Sequence, residues 1–103
     1  MISADLTNKC VLVTGGLSGI GLAAVKTFAT CGARVAVNHL PSDPAAKQVL
    51  DELNKAGYLI VGAPGDVSDP DQTESMVKQA IESLGRLDIL INNAGTSNTN
   101  IPI

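Results

Sequence analysis

Aromatic side chains are nearly missing from these 103 residues: Phe28 and Tyr58 are the full complement, with no tryptophan. Any core must therefore be assembled from Val, Ile, Leu and Ala. Cysteine is equally scarce. Cys10 and Cys31 are too few and too far apart for a disulfide framework or a metal knuckle, and they read as reduced core thiols with no metal site expected. Basic residues are few and scattered: Lys9, Lys26, Arg34, Lys47, Lys55, Lys78 and Arg86 form no run, and the formal net charge is −3. A phosphate-backbone surface needs clustered Lys and Arg, so no nucleic-acid partner is expected. Long apolar runs are missing too, well short of the roughly 20 residues that span a bilayer. Met1 to Lys9 contains Asp5 and no apolar stretch of signal-peptide length, so the expectation is a cytoplasmic protein with no membrane partner.

What remains is globular composition, 45% hydrophobic and 17% charged. This length supports one domain, whose core removes roughly two-thirds of the unfolded chain's surface from water.

Two periods alternate along the chain. Cys10-Val11-Leu12-Val13-Thr14 is a short β-branched run stopped by Gly15-Gly16, as suits a strand buried on both faces. From Ser18 to Cys31 the residues Ile20, Ala24, Phe28 and Cys31 recur at helical spacing, and Gly32 ends the helix. Arg34 to Asn38 is a second strand. Asp43 is expected as the N-cap of a second helix with Pro44 in its first turn, running to about Ala56 with Val49, Leu50 and Leu53 on one face and Gly57 as its stop. Tyr58-Leu59-Ile60-Val61 is expected as strand three. Ser68 is expected to cap a third helix with Asp69 and Asp71 in its first turn and Met76, Val77, Ala80, Ile81 and Leu84 as its buried stripe. Leu87 to Ile91 gives a fourth strand, ending in Asn92-Asn93-Ala94-Gly95.

The order βαβαβαβ predicts an α/β fold with a parallel sheet and right-handed crossovers. No internal repeat or low-complexity segment interrupts it. Ile89, Leu90 and Ile91 read as fully buried, yet nothing later in the chain would cover one side of that strand. An apolar unpaired edge of this kind invites pairing with further chain.

The first strand-to-helix turn reads Thr14-Gly15-Gly16-Leu17-Ser18-Gly19-Ile20-Gly21. Residues without a Cβ let the backbone pass through positive φ and approach a ligand closely. The free N–H groups at the following helix start, with the helix dipole behind them, suit a pyrophosphate. The spacing is Gly-x-x-x-Gly-x-Gly, not Gly-x-Gly-x-x-Gly, and a sharp connection with no ligand is the plain alternative.

The turn is followed by Asp66-Val67 after strand three and by Asn92-Asn93-Ala94-Gly95 after strand four. Thr-Gly-x-x-x-Gly-x-Gly, Asp-Val and Asn-Asn-Ala-Gly, each at a strand's C-terminal end, resemble the short-chain dehydrogenase/reductases over the stretch from about Lys9 to Gly95. The resemblance implies a Rossmann-type sheet in the order 3-2-1-4, an incomplete doubly wound fold. Residues 1–95 would form an NAD(P)-binding half-domain, and 96–103 a mobile tail leading into a missing C-terminal half. It implies that Gly15, Ser18, Gly19, Ile20 and Gly21 line the diphosphate of NAD(P)(H). Asp66 would accept a hydrogen bond from the adenine amino group, with Val67 beside the ring, and Asn93, Ala94 and Gly95 would lie along the nicotinamide-side ribose. Turn chemistry is the alternative for Asp66, and for Asn92 and Asn93 a turn after a buried strand.

Cofactor choice in such folds is made at the end of strand two, where an acid binds the ribose hydroxyls and a basic residue takes a 2′-phosphate. Asn38, His39 and Leu40 stand there, followed by Pro41 and Ser42, with neither Asp nor Arg. His39 and Ser42 could contact a phosphate, which leans the reading slightly towards NADP(H); a loop histidine without a ligand is the alternative.

In the family it resembles, hydride moves between the nicotinamide and a carbonyl or alcohol. A Tyr acts as general acid/base, a Lys four residues on lowers its pKa, and a Ser orients the substrate oxygen. The single tyrosine, Tyr58, is followed four residues later by Gly62. No catalytic residue can be assigned. The expectation is a ketone reductase or secondary-alcohol dehydrogenase seen as its cofactor-binding segment, inactive alone, with the C-terminal segment and a small carbonyl or alcohol substrate as partners and a homo-oligomer when complete. Two alternatives stand beside it: a stand-alone dinucleotide-binding module without catalysis, and a fragment that pairs its exposed strand with a partner.

Overall fold

The computed structural model describes residues 5–93. Its elements follow in the order β1 (Cys10–Val13), α1 (Gly19–Thr30), β2 (Arg34–His39), α2 (Ala46–Lys55), β3 (Ile60–Pro64), α3 (Pro70–Leu84) and β4 (Ile89–Ile91). The four strands are parallel and ordered β3-β2-β1-β4. This is the sheet order expected from the sequence, and it brings all four strand C-termini to one edge.

Side chains alternate across the sheet. Val11, Val13, Val35 and Val37 face α1 and α2, joined by Val25, Ala29 and Leu53. Cys10, Leu12, Ala36 and Ala63 face α3 and meet Met76, Ala80 and Leu84. Both layers are built almost wholly from aliphatic side chains and Met76, with Phe28 and Tyr58 packed only at the margin of the first. Cys10 and Cys31 are free thiols, the first buried and the second half-buried at the end of α1.

Several boundaries depart from the sequence pattern. The buried row of α1 is Gly21, Val25 and Ala29, one residue on from the expected Ile20, Ala24, Phe28 and Cys31. Ile20 is 81% exposed. Two adjacent apolar rows run down this helix, and the one with the smaller residues lies against the strands, because a Gly and an Ala permit the closer approach.

Strand three begins two residues later than expected and extends to Pro64. The Asn54 carboxamide bonds both the N–H and the C=O of Ile60, at 3.2 Å each, so the preceding residues form the connection out of α2. Tyr58 therefore precedes the strand; its hydroxyl lies 3.3 Å from Thr30 Oγ1. The strand runs on through Gly62 and ends at Pro64, and an edge strand tolerates a proline there.

The N-cap of α3 is Asp69, not Ser68. Its carboxylate accepts the N–H groups of Asp71 and Gln72, with Pro70 in the first helical turn. The stripe of that helix narrows to Met76, Ala80 and Leu84, leaving Ile81 exposed. Asp43 does bond the start of α2, but as a turn: its Oδ1 accepts the Ala45 N–H at 2.9 Å, and the helix opens only at Ala46. Strand four covers only Ile89–Ile91, and Leu90 is 54% exposed instead of buried. Ile89 and Ile91 pack on the core beneath α1 and α2, whereas α3 lies chiefly across β2 and β3. Residues 96–103, expected as a tail, lie outside the described residues.

Candidate functional site

The edge where the strands end carries the glycine turn. Beyond Val13 the chain enters Gly15 at φ +60 and passes Ser18, extended at φ −154, before turning into α1 at Gly19, φ +57. Among the described residues no side chain caps this helix, and no acid stands in its first turn. The first helical bond runs from the Leu22 N–H to the Ser18 carbonyl at 3.2 Å. The N–H groups of Gly19, Ile20 and Gly21 thus have no partner among the described residues. The start of α3, by contrast, is closed by Asp69 and carries Asp71 in its first turn. The positive end of the α1 dipole is left open to an anion from outside.

Two glycines shape the approach. A Cβ on Gly19 would meet nothing within 4 Å, so that face is clear space. A Cβ on Gly21 would collide with the carbonyl of Gly15 and lie 2.6 Å from Asn93 Nδ2. The glycine at 21 lets the helix start tuck under the turn.

Polar side chains from the other strands hold the turn in place. Asn93 donates from Nδ2 to the Gly15 carbonyl at 3.1 Å, and its N–H donates to Thr14 Oγ1 at 2.9 Å. Thr14 Oγ1 lies 3.3 Å from Asn92 Oδ1, and the Thr14 N–H donates to the Ile91 carbonyl at 3.0 Å. Asn38, only 2% exposed, accepts the Gly15 N–H at 3.2 Å. Its Nδ2 donates to the carbonyls of Ala63 and Gly65 at 3.0 Å each.

Asp66 follows β3 at the same edge. Its carboxylate accepts the Ser68 hydroxyl at 2.7 Å and the Ser68 N–H at 2.9 Å. Those two bonds, the hydroxyl first, hold it below the ordinary carboxylate value, so it is an ionised acceptor near neutral pH. Turn chemistry thus holds at Asp66, through one of its two oxygens. Val67 beside it is half-buried against the α3 face. His39 is half-buried, its Nδ1 2.8 Å from its neighbour's carbonyl, and Leu40 is exposed. Ala94 and Gly95 lie outside the described residues. Gly15, Ser18, Gly19, Ile20, Gly21, Asp66, Val67, His39, Leu40 and Asn93 are all carried at this one edge of the sheet, on the ends of all four strands and the start of α1.

Sequence reasoning undervalued Thr14 and the depth at which Asn38 sits. The signal for Asn38 was an amide ending a run of buried apolar residues, where an unpaired polar group would be costly.

The family model for short chain dehydrogenases matches residues 9–102. The chain belongs to the short chain dehydrogenase family. Among its relatives, an L-rhamnose 1-dehydrogenase (NAD(P)(+)) from Sphingomonas sp. is 40% identical over 90 residues, 87% of this chain and 35% of that protein. Versicolorin reductase from Emericella nidulans is 41% identical over 98 residues, 92% of this chain and 37% of that protein. A dehydrogenase/reductase from Sinorhizobium meliloti superposes with a TM-score of 0.82 at 38% identity, covering 88% of this chain and 36% of that one. A blue fluorescent protein from a metagenomic library, solved with NADPH, gives 0.82 at 37% identity over 89% of this chain and 38% of that one.

The short chain dehydrogenase segment spans about a third of the length of the curated relatives it matches. The family's dinucleotide fits the edge just described: unpartnered N–H groups at an uncapped helix start, clear space above Gly19, and an ionised acceptor at Asp66. Among the described residues no helix is long and apolar enough to cross a membrane.

Proposed function

We propose that this segment binds NAD(P)(H) for an oxidoreductase that reduces a ketone or oxidises a secondary alcohol. The observation that carries the reading is the uncapped, acid-free start of α1 beneath the glycine turn. Gly15, Ser18, Gly19, Ile20 and Gly21 line the diphosphate. Asp66 takes the adenine amino group with Val67 beside the ring, His39 and Leu40 flank the adenosine ribose, and Asn93, Ala94 and Gly95 border the nicotinamide-side ribose. The cofactor supplies or accepts the hydride; these residues bind and orient it.

The preference is for NADP(H). Its support is that residues 38–42 contain no acid to bond the ribose hydroxyls and repel a 2′-phosphate. The next carboxylate along the chain, Asp43, is turned onto the Ala45 N–H.

Acid/base chemistry belongs to chain other than residues 1–103. Tyr58 lies ahead of β3, at the opposite end of the strand from Asp66, and its hydroxyl faces Thr30. The substrate is a small carbonyl compound or alcohol, met by that further segment, which also packs beside β4 and carries the contacts of a homo-oligomer. The exposed Leu90 on the β4 strand supports this arrangement. A reducing compartment, the cytoplasm, suits two free thiols.

The reading is tested by following backbone amides in NMR during addition of NADPH. The signals of Gly19, Ile20 and Gly21 should shift together with those of Asp66 and Val67. Shifts confined to other parts of the chain would remove the assignment.

A further inference from the structure

Asn38 stands at the end of β2, where a cofactor contact would be expected, yet its side chain is buried and spent on main chain. Its Oδ1 holds the Gly15 N–H at 3.2 Å, and its two amide hydrogens reach Ala63 O and Gly65 O at 3.0 Å each. Its own carbonyl accepts the Gly16 N–H at 3.1 Å. The neighbouring His39 carbonyl accepts the Gly65 N–H at 2.9 Å. Two consecutive amides of the glycine turn therefore end on Asn38, and the same carboxamide fixes the residue immediately before Asp66.

Only a carboxamide meets this demand. It needs one acceptor towards Gly15 and two donors towards Ala63 and Gly65 within one planar group. A carboxylate would turn an acceptor oxygen onto two carbonyls, and an aliphatic residue would leave the Gly15 N–H and both carbonyls buried without that partner.

We infer that Asn38 is a positioning residue that couples the two halves of the nucleotide site, setting the diphosphate turn through Gly15 and the adenine-side loop through Gly65. It acts on the cofactor through those two glycines and not by contact. This rests on the cofactor reading above. Because one group sets both loops, its loss weakens ligands that use either one.

The test titrates NADPH and AMP into the wild type, Asn38→Ala and Asn38→Asp by calorimetry, at a temperature where circular dichroism shows each folded. Asn38→Ala should weaken both ligands, NADPH by about tenfold. Asn38→Asp should also weaken NADPH, and should recover relative to the wild type as pH falls from about 8 to about 5, because protonating the introduced carboxyl restores one donor towards the carbonyls. Wild-type affinities in folded variants that merely melt earlier would overturn the inference and leave Asn38 as scaffold. Absence of NADPH binding by the wild type would overturn the cofactor reading itself, and this inference with it. Hydrogen exchange on the ligand-free wild type needs no variant: the Gly15 amide should be protected, and free exchange there would contradict the coupling even if both variants fail to fold.

Discussion

The side-chain amide of Asn93 lies 3.1 Å from the carbonyl oxygen of Gly15, and Gly21 comes in beneath both so closely that a Cβ there would stand 2.6 Å from that amide. Strand β4, the turn after β1 and the first turn of α1 are thereby locked at one point. The site is assembled by packing three segments together, with no room for a methyl group at the junction.

Gly21→Ala should accordingly act on both fold and site. The neighbour that must give way is backbone, so the helix start is pushed off the turn at a cost of about 1–3 kcal/mol, in the range of overpacked interiors. Thermal melts should show the loss, and NADPH affinity should fall with it.

Gly19 separates the two effects. It has positive φ, as does Gly85 after α3, and neither position has an atom within 4 Å of an added Cβ. A side chain at either enters the left-handed region at a cost of about 1–2 kcal/mol, larger for the β-branched Val than for Ala. Gly19→Val should also fill the space above the uncapped helix start and abolish dinucleotide binding. Gly85→Ala should lower the melting temperature and leave the affinity unchanged. Parallel melts and titrations of the two variants check this.

The cap of α3 touches the site through Gln72, whose Nε2 donates to Asp69 Oδ2 at 3.3 Å. Asp69→Ala removes the acceptor for the Asp71 and Gln72 amides and should cost about 1 kcal/mol by chemical denaturation. Gln72 also holds the Asp66 N–H at 2.9 Å, so the Asp66 loop keeps a tether and affinity should change little.

Acid should open the end of the sheet opposite the glycine turn. Asp88 accepts the Cys10 N–H at 2.9 Å and the Arg86 Nε–H at 2.9 Å, and the Cys10 bond first, then Arg86, lowers its pKa below the ordinary 3.8. A depressed acid contributes stability that is present above its unfolded value and lost as pH falls through the folded one. The stability advantage of the wild type over Asp88→Asn should therefore be full at neutral pH and shrink below about pH 4. Urea midpoints measured across that range check it.

A parallel α/β sheet was legible because short apolar runs alternate with stretches of helical spacing, which favours right-handed crossovers; the order 3-2-1-4 came from the resemblance carried by the glycine turn, Asp66-Val67 and Asn92-Asn93-Ala94-Gly95. Phase and boundaries were less so. Ile20 and Gly21 begin two neighbouring apolar rows on α1, and only contact with the strands decides between them. Strand three starts at Ile60 because the Asn54 carboxamide takes both main-chain groups of that residue, a contact between elements that the local pattern does not carry. Ser68 and Asp69 are both good N-caps, and Ser68 is taken by Asp66. The glycine turn, Asp66 and Asn93 stand out in the sequence as the motifs of the resemblance, each just beyond a strand. The role of Asn38 was not, since its three partners are main-chain atoms on two other strands' ends.

The central claim is tested most directly by calorimetric titration of the protein with NADPH and with NADH, alongside Gly19→Val. Saturable binding at one site, tighter for NADPH and lost in the variant, is the predicted result. No saturable binding of either dinucleotide, or equal affinity in the wild type and Gly19→Val, would contradict the assignment of the open start of α1 as the cofactor site.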